Sequence, residues 1–94
     1  MSTYSQIYIQ IVFSVQNRVP LLSTKWRDQL YKYLTIIIQK HKHKVLAIGG
    51  YDDHVHIFFR QNMSHTIPNL MMEVKRDSSK WINEKRLIQH RFEW

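Results

Sequence analysis

Cysteine is absent from this 94-residue sequence, and glycine occurs only twice, as Gly49 and Gly50. Without cysteine the chain has no disulfide framework, no thiolate nucleophile and no cysteine-ligated zinc or iron–sulfur site. Two adjacent glycines are too few for a Walker A loop or a GxGxxG nucleotide-binding turn. These absences exclude thiol-dependent and P-loop or Rossmann-type nucleotide enzymes, and the lack of cysteine fits a reducing compartment.

Long apolar runs are also missing, so the sequence predicts no transmembrane helix. The first ten residues have no basic region followed by an apolar stretch, which is the pattern of a secretory signal. We therefore expect a cytoplasmic protein with a single domain over residues 1–94.

Acidic residues are scarce. Asp and Glu number 7 against 14 Lys and Arg, which gives a formal net charge of +7 at pH 7. Hydrophobic residues make up 44% and charged residues 22%, a globular composition. The positive charge favours nucleic acid as the partner, ahead of an anionic membrane surface.

Four stretches have the hydrophobic pattern of strands. Apolar and polar residues alternate over residues 4–15 and over His54–Arg60, and a short apolar run covers residues 45–48. Phe92–Trp94, at the end of a basic tail, is expected to form a last edge strand.

Two further stretches have helical spacing. The first predicts a helix over about residues 23–42, capped by Ser23 or Thr24, and the second a helix from Ser64 as N-cap through residue 82. The resulting order, β-α-β-β-α-β, predicts an α+β, ferredoxin-like fold with an antiparallel sheet and both helices on one face. The other face of the sheet is expected to be open.

His54 and His56 are the most informative pair. On a strand their side chains point the same way, with Cα atoms about 6.6–6.8 Å apart, while Val55 points to the helices. Two such imidazoles can share one cation on the open face, and imidazole chemistry by itself favours zinc, nickel or copper. A solvated pair of histidines without metal is the alternative.

The other histidines are less informative about function. The basic run Lys40–Lys44 is expected to end the first helix as a solvated surface, with DNA phosphate contact as the second interpretation. His65 and His90 are expected to lie on the surface.

Four segments carry a resemblance to a known family. Tyr51–Phe59 resembles the His-hydrophobic-His (HUH) signature of the small tyrosine transposases of short insertion sequences. Val12–Arg18 resembles the exit of the family's first strand, Val74–Ile82 its second helix, and Phe92–Trp94 the strand before its catalytic helix. In this order the segments extend the resemblance over essentially the whole chain.

The resemblance implies DNA transposition. A tyrosine hydroxyl attacks a phosphodiester of hairpin-containing single-stranded DNA, which leaves a 5′-phosphotyrosine and a free 3′-OH. His54 and His56 would hold Mg²⁺ or Mn²⁺ at the scissile phosphate. The family also implies a homodimer, a bacterial or archaeal DNA-associated protein, and no membrane partner.

Five residues are predicted to bind nucleic acid: Arg18, Lys75, Arg76, Ser79 and Lys80. The last four lie together on the second predicted helix, where cations and hydroxyl groups can contact a DNA backbone. An ordinary solvated helix face is the alternative for these four.

One departure from the family concerns the nucleophile. The family's tyrosine, and a glutamine of its metal site, lie on a further C-terminal helix, whereas this sequence stops at Trp94. Tyr8 is a substitute candidate because it shares the predicted open face, and an ordinary surface tyrosine is the alternative. We therefore expect a truncated transposase that binds DNA but does not cleave it by itself. The rival interpretation is a non-catalytic module similar to an RNA-recognition domain, with Tyr8 and Phe58 as its sheet-face aromatic residues.

Overall fold

A computed structural model describes residues 5–94 and contains six elements. In chain order they are β1 (Tyr8–Ser14), a short 3-10 turn (Gln16–Arg18), α1 (Arg27–Lys40), β2 (Lys44–Gly50), β3 (His54–Arg60) and α2 (Ile67–Glu84). The strands form an antiparallel sheet in the order β1-β3-β2. The α+β class and the antiparallel sheet are thus confirmed.

One face of the sheet is covered and the other is open. Val55, Ile57 and Phe59 of β3 are fully buried and belong to one core cluster with apolar side chains of both helices. The intervening residues of β3, His56 and Phe58, are exposed. Because successive side chains on a strand point to opposite faces, this alternation confirms that the helices share one side of the sheet.

The strand limits differ slightly from those predicted. The first strand begins at Tyr8 rather than at residue 4, and Tyr4 lies outside the described residues. The predicted segment 45–48 widens to Lys44–Gly50, with a bulge between Val45 and Ala47. The predicted hairpin is present, and its turn is closed by the Tyr51 backbone amide donating to the His54 carbonyl at 3.0 Å.

The helix starts also shift. Helix α2 begins after Thr66, whose side chain accepts from the Asn69 amide at 3.4 Å, so Ser64 is not the N-cap. Helix α1 begins at Arg27, and Ser23 belongs to the turn before it, where its hydroxyl accepts from the Lys25 amide at 3.1 Å. Among residues 5–94, no helix is long and apolar enough to cross a membrane.

The predicted last strand is not formed. The segment Phe92–Trp94 has no strand pairing, although the Gln16 amide donates to the Glu93 carbonyl at 3.3 Å. The Asn83 side chain accepts from the Phe92 amide at 2.8 Å and donates to its carbonyl at 3.2 Å. Since a helix side chain satisfies these backbone groups, the tail lies beside the end of β1 without joining the sheet.

Candidate metal and nucleic-acid site

His54 and His56 lie side by side on the open face of β3. Their ring centroids are 5.9 Å apart and the ring planes differ by 25°. Across the sheet His54 pairs with Ser14 and His56 with Val12. Val55 between them is fully buried. The predicted geometry of the pair, with both rings on one side of the sheet, is what the structure contains.

A carboxylate holds His54 in place. His54 Nδ1 lies 2.8 Å from Asp53 Oδ1, and Arg18 Nε donates to Asp53 Oδ2 at 3.1 Å. The hydrogen bond with His54, followed by that from Arg18, lowers the pKa of Asp53 below its ordinary value. With Asp53 ionised, the favoured His54 tautomer has its proton on Nδ1, which leaves Nε2 free for a ligand.

The short turn after β1 brings Arg18 to this site. Asn17 and Arg18 both have left-handed backbone angles, with φ of 60° and 56°. The Val15 amide donates to the Asp53 carbonyl at 2.9 Å, which ties the end of β1 to the hairpin. Arg18, one of the residues predicted to bind nucleic acid, is thereby placed beside the histidines, and its side chain is 65% exposed.

Both glycines of the chain lie next to the histidines. Gly49 pairs with His56, and a Cβ at Gly49 would lie 3.4 Å from His56 Cε1. A Cβ at Gly50 would lie 2.2 Å from the His54 carbonyl oxygen, which no other residue can accommodate. Gly50 therefore allows β2 to approach the histidine end of β3 closely, whereas a Cβ at Gly49 would lie at the limit of ordinary van der Waals contact. The sequence pattern did not reveal this role of Gly50.

Tyr8 shares the open face but lies at its other end. It pairs with Arg60, whereas His56 pairs with Val12, four residues farther along β1. At about 3.2–3.4 Å per residue, Tyr8 is about 13 Å from the level of His56. Its hydroxyl donates to Gln6 Oε1 at 2.8 Å. This position does not bring the Tyr8 hydroxyl to a phosphate held at the histidine pair.

The cationic residues predicted on the second helix are on α2, across the sheet from the histidines. Lys75 is exposed, and Arg76 Nε donates to Asp77 Oδ1 at 2.9 Å. Lys80 Nζ lies 3.8 Å from Glu84 Oε1. Together with Ser79 these residues form a surface separate from the one that contains Arg18.

Comparison with known proteins identifies the chain. The model of one family, described as "Transposase IS200 like", matches residues 3–94. The chain belongs to the IS200-like transposase family. No curated protein matches the sequence significantly.

A solved structure supports the same fold for this IS200-like transposase chain. It matches a candidate transposase from Deinococcus radiodurans R1 with a TM-score of 0.82 at 18% sequence identity. The match covers 90% of this chain and 65% of the other, so the chain spans less than two thirds of that solved chain's length. At this identity the likeness concerns the fold alone.

The family implies a divalent cation, and the histidine pair fits one in part. Among residues 5–94, no group of three or more His, Cys, Asp or Glu side chains is arranged to hold a metal ion. Both Asp53 oxygens are engaged, by His54 and Arg18, so neither is free to act as a third metal ligand. The described part of the transposase can therefore supply two imidazole ligands, and other ligands must complete the coordination.

Three more histidines form a cluster that sequence analysis missed. His43, expected to be solvated, is only 2% exposed. Its Nδ1 accepts from the Asn62 amide at 2.9 Å, so Nε2 carries the proton that is donated to His65 Nδ1, 2.9 Å away. His41 stacks on His65 with ring centroids 4.0 Å apart, and its Nε2 contacts Glu73.

Burial is the main cause that lowers the pKa of His43, and the neighbouring His65 and His41 lower it further. His43 lies between the end of α1 at Lys40 and the start of β2 at Lys44, where neither helical nor strand periodicity predicts burial. Its ring lies edge-on to Phe59, with centroids 5.3 Å apart. The cluster is therefore structural and distinct from the His54–His56 pair.

Proposed function

We propose that this chain binds single-stranded DNA on the open face of its sheet and holds a backbone phosphate at His54 and His56. The observation that carries the proposal is the outward-facing histidine pair, with His54 oriented by Asp53 and with Arg18 exposed beside it. A guanidinium and two imidazoles at one end of an open sheet suit a phosphodiester. Membership of the IS200-like transposase family supports DNA as the source of that phosphate.

His54 and His56 would hold Mg²⁺ or Mn²⁺ as the cofactor. When bound, such a cation would withdraw charge from the phosphate and favour attack at phosphorus. The chain's own contribution is positioning. Asp53 directs the Nε2 atom of His54 outward, and Arg18 attracts the phosphate.

The reaction we propose for the complete transposase is DNA cleavage and rejoining through a tyrosine. The tyrosine oxygen forms a bond to phosphorus, the 3′ oxygen leaves as a free 3′-OH, and a 5′-phosphotyrosine remains. In the described residues, Tyr8 lies about 13 Å along the sheet from the level of His56. The Tyr51 ring lies under the Arg27 guanidinium, 5.7 Å away. We therefore propose that residues 5–94 alone bind DNA and do not cleave it.

The test uses fluorescently labelled, hairpin-containing single-stranded DNA with and without Mn²⁺. Wild-type protein should bind, and Mn²⁺ should strengthen binding. His54→Ala and His56→Ala should lose the Mn²⁺ effect, whereas the matched control His90→Ala, in the exposed tail, should keep it. Equal Mn²⁺ dependence in all four proteins would contradict the metal assignment, and a denaturation-resistant DNA adduct would contradict the inability to cleave.

We also propose a homodimer formed through sheet edges. In the described sheet β1 and β2 are the edge strands, and Leu46 on β2 is 46% exposed. An edge strand with free backbone groups is a template for pairing with a second chain. Light scattering after size exclusion should give twice the chain mass for wild type and the chain mass for Leu46→Lys. A monomeric wild type over a wide concentration range would contradict this proposal.

A further inference from the structure

Two aromatic rings form an exposed stack on the open face. Tyr8 and Phe58 have ring centroids 5.9 Å apart and planes that differ by 26°. Tyr8 is 49% exposed and Phe58 40% exposed, although both rings are large and mostly apolar. The stack thus presents π surface to the solvent.

Positive charge lies beside the stack. Arg60 pairs with Tyr8 on one side and with Lys44 on the other, so the three residues form one row across the sheet. Neither Arg60 nor Lys44 makes an ion pair within residues 5–94. The three strands contain no Asp or Glu. An unpaired cationic row beside exposed rings complements a ligand with both negative charge and flat, unstacked rings.

Single-stranded nucleic acid has this chemistry. Its phosphates attract Lys and Arg, and its unpaired bases stack on aromatic side chains. A duplex keeps its bases stacked inside, so its phosphates can contact the cations but its bases cannot stack on the aromatic rings. The aromatic stack therefore favours a single strand over a duplex.

The stack is also next to the histidine pair. Phe58 and His56 are two residues apart on β3 and point to the same side, so their Cα atoms are about 6.7 Å apart. One strand of nucleic acid can therefore contact both with neighbouring nucleotides. We infer that Tyr8 and Phe58 form a base-stacking subsite for nucleotides that flank the phosphate at His54 and His56. This inference rests on the proposed function.

The experiment measures binding of a labelled oligothymidylate and of a matched abasic oligonucleotide by fluorescence anisotropy in EDTA. Phe58→Ala and Tyr8→Ala should each weaken oligothymidylate binding about 5- to 150-fold, the range for loss of a base–aromatic stack. Binding of the abasic strand should change little. Ile36→Ala is the matched control because it removes an apolar side chain that is 66% exposed on α1, away from the open face.

Two substitutions separate stacking from hydrophobic area. Phe58→Leu keeps apolar bulk without a π face and should bind as weakly as Phe58→Ala. Phe58→Trp keeps a π face and should bind oligothymidylate about as tightly as wild type. Oligothymidylate should also quench the fluorescence of the added tryptophan, measured as the difference from wild type. Circular dichroism and the unfolding midpoint of each variant establish that it is folded.

Each other outcome has a definite meaning. If wild type binds oligothymidylate but the alanine variants bind as tightly, or lose abasic binding to the same extent, the stacking inference is wrong and the proposed function stands. If wild type binds neither strand, the proposed function itself fails.

Discussion

Replacing Asp53 by Asn tests how the site orients His54, the proposed metal ligand. Asp53 accepts from His54 Nδ1 at 2.8 Å and from Arg18 Nε at 3.1 Å. One carboxylate therefore sets both the tautomer of the imidazole and the position of the Arg18 guanidinium. Asn retains the shape but not the charge, and its NH₂ group can turn toward either partner. We expect the His54 ring to lose its fixed tautomer.

The expected loss of metal affinity follows from the contact between Asp53 and the proposed ligand His54. Loss of the partner that orients a metal-binding histidine usually weakens metal affinity 10- to 100-fold. The stability should change little, because Arg18 is 65% exposed and surface ion pairs contribute weakly. Asp53→Asn should therefore separate metal affinity from folding.

The assay is a Mn²⁺ titration that follows paramagnetic broadening of the His54 and His56 ring signals by NMR. The ring nitrogen shifts, recorded without metal, report the tautomer independently. Asp52→Asn is the control, since this neighbouring carboxylate makes no side-chain hydrogen bond within residues 5–94. Wild-type Mn²⁺ affinity in Asp53→Asn, or an equal loss in Asp52→Asn, would refute the reasoning.

Three further predictions concern stability, each measured by urea unfolding. The folded protein holds the pKa of His43 below the ordinary value near 6.5, so the unfolded chain binds more protons just below that pH. The free energy of unfolding should have its full value above pH 6.5 and fall as the pH drops below 6.5. A free energy of unfolding that does not change from pH 7.5 to 5 would contradict this. Ser78→Ala should cost about 1–3 kcal/mol because Trp94 Nε1, which donates to Ser78 Oγ at 2.8 Å, loses its partner. Ser79→Ala should have almost no effect, and equal losses would contradict the role of the bond. Gly50→Ala should unfold the hairpin, since its Cβ would meet a β3 carbonyl oxygen at 2.2 Å; a wild-type midpoint would contradict it.

The sheet and the histidine pair could be predicted because one-sided burial leaves a period of two in the sequence. In β3 the residues Val55, Ile57 and Phe59 are fully buried, so His54 and His56 can only point the other way. This relation depends on the strand alone and needs no knowledge of distant residues.

Helix starts and the tail could not be predicted in the same way. Ser64 and Thr66 are both good caps by residue type, and in the structure it is the Thr66 side chain that accepts from the Asn69 amide and begins the helix. The tail has strand-like residues, but Asn83 captures both backbone groups of Phe92. For the tail, the contact with Asn83 decides against a strand.

The charged and polar residues around the site likewise separate what the sequence predicts from what only the tertiary structure decides. The sequence by itself determined the three strands of the sheet, the outward direction of the two histidines and the resemblance to a transposase family, because these follow from local periodicity and motif. Only the tertiary structure decided that Asp53 and Arg18 join His54, that the Lys75 surface lies across the sheet, and that His43 is buried. Such relations depend on which distant segments pack together, and the local sequence pattern does not specify that packing.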